Sequence, residues 1–326
     1  MPRTATNVTA APVGDAATVR VDQSLEAALA DVAQCFNAPS ICDKQIDAAE
    51  VLRYYRQCDR VYRRYHSRAG ALHVGLVPPG TTNPIQHGHT RQAQLFGQLA
   101  AEIGAARCLE FGCGTGYNLR HLAQWYPEQQ WHGVDLSTDH IRTAQQLGAG
   151  LPNAHFHVGN YLGLDYQDES FDAVLAVESL CQCDSQQQAI AEAFRLLRPE
   201  GRMMVIDCFR AGPLAQFGDH LARAAVLVEK TAAVHQFATI GPWTDMARQM
   251  GFEVASVVDH SNETTHDLAR LYRMAQRFFK LSPLARSLSR RVAPRAMQNV
   301  ICGLLMPYTV GQGIHRYLKV VLEKPA

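Results

Sequence analysis

From about residue 105 onward, short apolar runs alternate with stretches in which apolar residues recur every three or four positions. The first pattern predicts buried strands and the second predicts helices. The predicted strands span residues 107–111, 130–135, 154–158, 171–177, 202–208, 252–259 and 314–323. Strands joined by helix-length connections favour right-handed crossovers. We therefore expect an α/β fold with a doubly wound, mostly parallel sheet of seven strands and additional helical lid elements.

The region before the first strand is predicted to be a helical cap. Residues 1–20 are small and polar and lack the apolar block of a secretory signal, so we expect a disordered tail. Residues 25–68 have helical periodicity, prolines and glycines interrupt residues 71–89, and a further helix is predicted for 90–104.

Two long connections, 209–251 and 260–313, interrupt the later alternation of strands and helices. Connections following parallel strands gather at the carboxyl edge of the sheet, where ligands bind, and long ones often form lids. The expected organisation is thus a tail at 1–20, a cap at 21–104, a core at 105–259, a helical lid at 260–313 and a last core strand at 314–326.

Charge and composition narrow the function classes. The 31 lysines and arginines balance 30 acidic residues, which leaves a net charge of +1 and makes nucleic acid an unexpected partner. The nine cysteines, several in apolar runs, are typical of a reduced cytoplasmic protein. The spacing of Cys181 and Cys183 does not suit a zinc knuckle, so no metal site is expected.

The stretch 296–314 carries no charged residue, but its amides, glycines and proline make it too polar and broken to span a bilayer. We expect a buried or pocket-lining element there. The preceding insert contains Arg286, Arg290, Arg291 and Arg295. This insert could be a packed lid or could contact an anionic membrane surface. Homo-oligomerisation of the protein is also left open.

A glycine-rich motif follows the first strand. Residues 109–116 read LEFGCGTG, a G-x-G-x-G spacing that differs from the G-x-G-x-x-G fingerprint of nicotinamide dinucleotide sites. Asp135 ends the second strand 21 residues after Gly114, where a carboxylate can accept hydrogen bonds from both ribose hydroxyls. Asn160 follows the third strand and can pair with an adenine edge. A cofactor-free scaffold with turn glycines is the alternative.

Together with S-F-D-A-V at 170–174 and L-R-P-E-G-R at 197–202, these motifs resemble the class I S-adenosylmethionine-dependent methyltransferases, which have a Rossmann-like fold, over residues 105–208. The resemblance implies that the glycines contact the methionine part of the cofactor, that Asp135 holds the ribose and Asn160 the adenine, and that Glu110 anchors the loop. The implied cofactor-binding residues are Glu110, Gly112, Cys113, Gly114, Gly116, Asp135, Leu136, Asn160 and Tyr161.

Glu178 ends the fourth strand at the edge where the acceptor is expected. Residues 177–181 are similar to the same region of sterol and prenyl C-methyltransferases and of their tocopherol and small-molecule O-methyltransferase relatives. Gln182 and Cys183 stand where many O-methylating relatives have a His-Met pair. We expect Glu178 to be the catalytic proton acceptor. The alternative is that it binds a backbone amide or the amino group of the cofactor.

The leading hypothesis is therefore C-methylation of a lipophilic terpenoid, prenyl or sterol-like alkene, because aromatic faces can stabilise the resulting carbocation. O- or N-methylation of a natural product is the alternative, and a non-catalytic cofactor-binding subunit is a third. The candidate substrate-lining residues are Tyr54, Tyr55, Tyr62 and Tyr65. Helix packing also explains that tyrosine spacing.

His73, in the interrupted segment, is a second candidate catalytic residue, although a loop histidine is often simply solvated. Four arginines share a helical face: Arg56, Arg60, Arg63 and Arg64. They could bind a diphosphate, and only such an acceptor would require Mg²⁺. The alternative is a solvated face paired with Asp59 and Glu50.

Overall fold

The structure is a computed structural model. It describes residues 19–78, 80–81, 84–283, 286–287, 291 and 294–326, without the side chains of 84–87 and 294. Of the expected tail, residues 1–20, only residues 19 and 20 are among those that the structure describes.

Seven strands form one sheet, in the order β3-β2-β1-β4-β5-β7-β6. The strands are β1 (Arg107–Phe111), β2 (Gln130–Asp135), β3 (Ala154–Val158), β4 (Phe171–Val177), β5 (Leu197–Arg210), β6 (Glu253–Asp259) and β7 (His315–Glu323). Strand β7 runs antiparallel to both β5 and β6, and the pairs formed by β1 to β5 are parallel. The predicted doubly wound, mostly parallel sheet is confirmed.

Strand β5 begins earlier than the sequence predicts. The sequence predicts that this strand starts at residue 202, but Leu197 already pairs with Phe171, and a register shift follows before Ala173 pairs with Arg202. Glu200 takes up this irregularity with a φ of 63°. The turn-forming residues of this segment thus lie in an irregular extension of the strand.

The cap consists of short helices rather than one long element: α1 (Leu25–Cys35), α2 (Ala38–Cys42), α3 (Ala48–Val61), a π-helical turn (Tyr62–His66) and α4 (Pro84–Glu102). Asn37 caps α2, and Asp47 caps α3 by accepting from the amide of Glu50. Helix α4 begins at Pro84, inside the segment expected to be a loop, because proline is well tolerated in the first turn of a helix.

The remaining helices are α5 (Tyr117–Trp125), α6 (Thr138–Leu147), α7 (Gln186–Leu196), α8 (Asp219–Thr231), α9 (Ile240–Gln249), α10 (Thr265–Phe279) and α11 (Pro294–Gly311). Both long connections are therefore largely helical. The uncharged stretch after residue 296 forms most of α11. Among the described residues, no helix combines the length and apolarity needed to cross a membrane.

The inner strands β1, β2, β4, β5 and β7 contribute side chains to two cores, one on each face of the sheet. Cys108 and Trp131 pack on the face covered by α4, α5, α6, α8, α10 and α11. Leu109 and Val134 pack on the other face, with α7 and α9. A sheet buried on both faces explains the continuous apolar runs of its strands. Its carboxyl edge is left for ligand binding.

Candidate active site

The bend after β1 requires glycine at three positions. Gly112, Gly114 and Gly116 have φ angles of 70°, 52° and 72°, a region that other residues rarely adopt. A Cβ on Gly112 would lie 2.5 Å from Cβ of Ser179, and one on Gly116 would lie 2.5 Å from Cε1 of Phe156. The backbone consequently turns tightly here, and α5 starts directly after Gly116.

Asp135 faces this bend from the end of β2. Its Oδ2 accepts a hydrogen bond of 2.9 Å from the amide of Gly114, and its Oδ1 accepts one of 2.8 Å from the amide of Ser137. Its side chain is 15% exposed, so the carboxylate is both fixed and accessible. The sequence-based prediction that the bend and this carboxylate lie together is confirmed by this contact.

A cavity opens between the bend, Asp135 and the ends of β3 and β4. Of the predicted cofactor-binding residues, its lining includes Glu110, Gly112, Cys113, Gly114, Asp135, Leu136, Asn160 and Tyr161. Gly116 shapes the turn behind this lining. We call this space the cofactor cavity.

Two of the predicted cofactor-binding residues, Asn160 and Tyr161, have partners within the protein. Oδ1 of Asn160 accepts from the amide of Leu162 at 3.0 Å. The hydroxyl of Tyr161 donates to the carbonyl of Ser179 at 2.9 Å, and its ring stacks on Phe111. Asn160 lies exposed at the rim, where its amide nitrogen is open to a ligand. Contact of Asn160 with adenine, and of Tyr161 with the cofactor, stays a prediction.

Three buried polar residues line the cofactor cavity: His73, Glu110 and Asn118. The side-chain amide of Asn118 donates to Oε1 of Glu110 at 2.7 Å. Burial raises the pKa of Glu110 to about 8 and lowers the pKa of His73 to about 3. Asn118 was not predicted from the sequence, although it follows the glycine motif by two positions.

A second, apolar cavity of about 450 Å³ adjoins the first, and we call it the acceptor cavity. Helices α3, α8, α10 and α11 surround it, together with the ends of β4 and β5 and with β7. All four predicted substrate-lining tyrosines border it: Tyr54, Tyr55, Tyr62 and Tyr65. Helix α11 contributes residues including Met297 and Cys302, so this predicted element lines a pocket.

The tyrosine hydroxyls are largely occupied by one another and by the protein. Those of Tyr54 and Tyr62 lie 2.7 Å apart, and Tyr55 donates to Oε1 of Gln182 at 3.0 Å. Tyr65, in contrast, is 51% exposed and lies at the rim. The three inner tyrosines therefore present mainly aromatic surface to the cavity.

Glu178 lies where the two cavities meet. Among the described residues, four border both cavities, and Glu178 is the only carboxyl group of the four: Tyr55, Leu72, Glu178 and Gln182. Its Oε1 accepts from the amide of Val74 at 2.7 Å and from the hydroxyl of Tyr317 at 2.6 Å. Within the described part of the chain, Oε2 forms no hydrogen bond. The alternative role of Glu178, binding of a backbone amide, therefore occupies only Oε1 and leaves Oε2 available.

The pKa of Glu178 is raised to about 8, mainly by burial and to a smaller extent by the acidic Asp207 and Asp267, while the hydrogen bonds from Tyr317 and Val74 act in the opposite direction. Asp207 and Tyr317 were not predicted as site residues. Asp207 lies near the carboxyl end of β5, before the strand ends at Arg210, and a polar residue near that edge is a usable signal. No local sequence pattern marks Tyr317 as a site residue, because its strand, β7, is far from Glu178 in the sequence.

The arginine face of α3 and the following turn lies away from both cavities. The four arginines Arg56, Arg60, Arg63 and Arg64 are exposed, and Arg63 binds Asp59 at 2.9 Å. In the region that the structure describes, none of them lines a cavity. The exposure of these arginines and the Arg63–Asp59 pair match the solvated-face alternative, but Glu50, the other expected partner, is buried and pairs with Lys44, Arg53 and Arg295 instead.

The arginines of the lid differ from one another. Arg295 forms an ion pair with the buried Glu50, and Arg286 contacts Sγ of Cys35. Arg291 is exposed, and Arg290 lies outside the described residues. The contacts of Arg286 and Arg295 favour a packed lid.

His66, His89 and Asp267 form the one cluster of three potential metal ligands found in the described ranges. Arg270 already binds Asp267 at 2.6 Å, which places a positive charge where a metal ion would sit. Cys181 and Cys183 are free thiols. Arg270 and Asp267 both belong to α10, so their ion pair lies within that helix, and Arg270 also contacts Nδ1 of His66 in the cap at 3.3 Å.

A methyltransferase-domain family model matches residues 108–201. The O-methyltransferase cnsE of Penicillium expansum is 30% identical over 194 residues, which cover 58% of this chain and 68% of that protein. Demethylmenaquinone methyltransferase of Roseiflexus castenholzii is 36% identical over 169 residues, covering 50% of this chain and 63% of the relative.

Two solved structures share the fold. The [4+2]-cyclase SpnF superimposes with a TM-score of 0.68 at 21% identity, covering 86% of this chain and 97% of SpnF. Geranyl diphosphate C-methyltransferase from Streptomyces coelicolor gives a TM-score of 0.58 at 14% identity, covering 83% and 98% of the two chains. At these identities the similarity concerns architecture.

Proposed function

The chain belongs to the class I S-adenosylmethionine-dependent methyltransferases, and from this premise we propose that it methylates a large, predominantly apolar small molecule held in the acceptor cavity. The observation that carries the proposal is the position of Glu178 between two cavities of different character. One cavity has polar groups and a glycine bend, and the other is lined mainly by apolar and aromatic groups.

The residues of the cofactor cavity fit S-adenosylmethionine. Gly112 and Gly114 allow the tight bend that lines the cavity, and Asp135 presents a fixed carboxylate for ribose hydroxyls. When bound, this cofactor supplies an electrophilic methyl group on a sulfonium. The chain's own contribution is to hold donor and acceptor in line, to exclude water and to accept one proton.

The lining of the acceptor cavity favours a substrate without a diphosphate. Among the described residues that border it, Arg277 is the sole arginine or lysine, and it is exposed at the rim. Diphosphate recognition ordinarily needs several cationic donors or carboxylate-bound Mg²⁺. We therefore rank prenyl diphosphates below uncharged molecules as candidate acceptors. A requirement for Mg²⁺, which only a diphosphate would bring, ranks lower with them.

Carbon methylation of a terpenoid or sterol-like alkene suits the inner surface of the cavity. Aromatic faces of Tyr54, Tyr55 and Tyr62 can stabilise a carbocation. Glu178 then removes a proton from the carbon adjacent to the cationic centre, restoring a double bond. A weakly basic carboxylate suffices for so acidic a proton.

Oxygen methylation is the second candidate, and the relationship to an enzyme named as an O-methyltransferase favours it. Glu178 would then take the hydroxyl proton as the oxygen attacks the methyl group. Gln182 follows in place of a histidine base, which leaves this carboxyl as the base at the junction.

Incubation with isotopically labelled methyl donor and a panel of phosphate-free terpenoids, sterols, phenols and prenyl diphosphates tests the proposal. We expect mass spectrometry to detect label in a phosphate-free lipophilic acceptor, and NMR of the product to show whether carbon or oxygen carries it. Cofactor binding without turnover on any acceptor would instead favour a non-catalytic subunit. Labelling confined to diphosphates would contradict the proposed acceptor class.

A further inference from the structure

The acceptor cavity reaches the protein surface between the π-helical turn of the cap and α10. Of the described residues that line this cavity, only Tyr65 of the turn and Arg277 of α10 are exposed. Arg270 of α10 donates a hydrogen bond to the backbone carbonyl of Tyr65, which holds the turn beside the helix. Tyr65 and Arg277 therefore mark the mouth of the cavity.

The solvent-facing side of α10 next to the mouth is cationic. Arg273, Arg277 and Lys280 are all exposed, and their spacing of four and three residues places them on one side of the helix. The buried apolar side chains of α10 lie on the opposite side: Leu268, Tyr272, Ala275 and Phe278. The helix thus packs on the protein with its apolar side and presents positive charge to its surroundings.

The positive charge is segregated along the chain. Residues 268–322 contain ten lysines and arginines and no acidic residue, whereas the whole chain has a net charge of only +1. Two carboxylates adjoin α10, and both have partners: Asp22 accepts from the hydroxyl of Tyr272, and Asp267 pairs with Arg270. The exposed cations of α10 therefore favour an anionic partner.

Exposed aromatic and apolar side chains stand beside these cations. Tyr65 is 51% exposed, and Leu281, which follows α10 closely, is 42% exposed. The guanidinium carbon of the exposed Arg64 lies 5.6 Å from the centre of the Tyr65 ring. We call the surface around the mouth the cationic rim, formed by Arg64, Tyr65, Arg273, Arg277 and Lys280.

A lipid surface matches this combination of groups. Arginine and lysine are attracted to anionic headgroups, tyrosine is favoured at the level of the headgroups, and leucine enters the boundary of the acyl chains. A molecule that fills an apolar cavity of about 450 Å³ also dissolves better in a bilayer than in water. A mouth held against a bilayer would spare such a molecule the transfer through water.

We propose that the cationic rim docks on anionic lipid membranes, so that the acceptor passes directly between the bilayer and the acceptor cavity. This inference rests on the proposed function for the lipophilic nature of the acceptor. It does not involve Arg286 or Arg295, which contact Cys35 and Glu50 within the protein. The chain would lie on the membrane surface through α10 and the π-helical turn.

Co-sedimentation of the full chain with lipid vesicles, without any acceptor, tests the docking. We expect at least about 30-fold stronger binding to vesicles of phosphatidylglycerol and phosphatidylcholine in equal amounts than to vesicles of phosphatidylcholine alone. Raising the salt concentration to about 1 M, where the Debye length is about 3 Å, should remove most of this difference.

The double variant Arg273→Glu/Lys280→Glu should bind the anionic vesicles at least about 30-fold more weakly, because each lost cation accounts for about fivefold. Its affinity for S-adenosylhomocysteine should stay unchanged, since neither residue borders the cofactor cavity. Arg142→Glu/Arg248→Glu is the matched control. It makes the same change in net charge at exposed positions of α6 and α9, and its vesicle binding should stay within about threefold of wild type.

A fluorescent probe at the rim locates the contact. Relative to wild type, Leu281→Trp should add emission that shifts to shorter wavelength when anionic vesicles are present, because the indole leaves water. Leu147→Trp is the control, since Leu147 is 52% exposed at the end of α6 and lies outside both cavities. Its added emission should not shift.

Absence of binding to the anionic vesicles would overturn the docking and would leave an acidic protein as the alternative partner of the rim. Equal losses in the two double variants, or a shift at position 147 without one at 281, would overturn it as well. None of these results affects the proposed function, which is tested by methyl transfer. Vesicle binding as expected, with no transfer to any lipophilic acceptor, would instead overturn the proposed function alone.

Discussion

The hydroxyl of Tyr317 donates a hydrogen bond of 2.6 Å to Oε1 of Glu178, although 139 positions separate the two residues. Glu178 directly follows β4 and Tyr317 belongs to β7, and both strands pair with β5 between them. Gln92 in turn donates to the hydroxyl of Tyr317 at 3.3 Å. The last strand of the chain therefore holds the carboxyl group that stands between the cavities.

Replacement of Glu178 by glutamine should abolish most turnover. The amide retains the size of the side chain but cannot accept the proton, so we expect kcat to fall by about 10²–10⁴-fold with cofactor affinity near normal. Steady-state kinetics and calorimetric titration with S-adenosylhomocysteine measure the two quantities. Glu128→Gln, an exposed substitution, is the control. Full activity of Glu178→Gln would remove this residue as the base.

Substitution of Tyr317 by phenylalanine should shift the pH dependence of the reaction. The hydroxyl lowers the pKa of Glu178, so its removal raises that pKa further above its free-enzyme value of about 8. A base acts when deprotonated, and the ascending limb of kcat/KM against pH should therefore move to higher pH. Activity at pH 7 should fall and recover in alkaline buffer.

Tyr272→Phe is the control for this shift. Tyr272 is also a buried tyrosine that donates to a carboxylate, Asp22, at 2.7 Å, but it borders neither cavity. Its removal should leave the pH profile in place. An unchanged profile in Tyr317→Phe would show that the tyrosine does not tune Glu178.

Binding of S-adenosylmethionine at pH 7 should release more protons than binding of S-adenosylhomocysteine. Glu178 has a pKa of about 8 and is mostly protonated in the free protein at this pH. A sulfonium charge at the junction would lower that pKa, whereas the uncharged thioether would not, and the difference should approach about one proton. Any proton exchange caused by the groups that the two ligands share is common to both and cancels.

Calorimetry in two buffers of different ionisation enthalpy measures this difference. Glu178→Gln should eliminate it, because glutamine has no proton to release. Identical proton release for the two ligands in wild-type protein would show that the sulfonium does not approach Glu178.

Replacement of Asp135 by alanine should weaken cofactor binding by about 10–100-fold. The change removes a carboxylate positioned for the ribose and also the acceptor of the Gly114 amide bond, each a charge-assisted contact. Asp139→Ala removes an exposed carboxylate of α6 and should have little effect. Normal affinity for S-adenosylhomocysteine in Asp135→Ala would refute the ribose-binding role.

The sequence by itself determined the strands of the core, the glycine bend and the pairing of that bend with Asp135. These features depend on local causes: buried strands need apolar residues, and a positive φ needs glycine. The edge rule for parallel strands also placed Glu178 correctly.

Only the tertiary structure decided how β7 inserts between β5 and β6, which brings Tyr317 to Glu178, and how α3, α10 and α11 enclose an apolar cavity. It likewise decided that His73 borders the cofactor cavity beside Glu110 and Asn118. These contacts join residues from distant parts of the chain. Packing among whole elements fixes them, and no local preference of the backbone encodes the result.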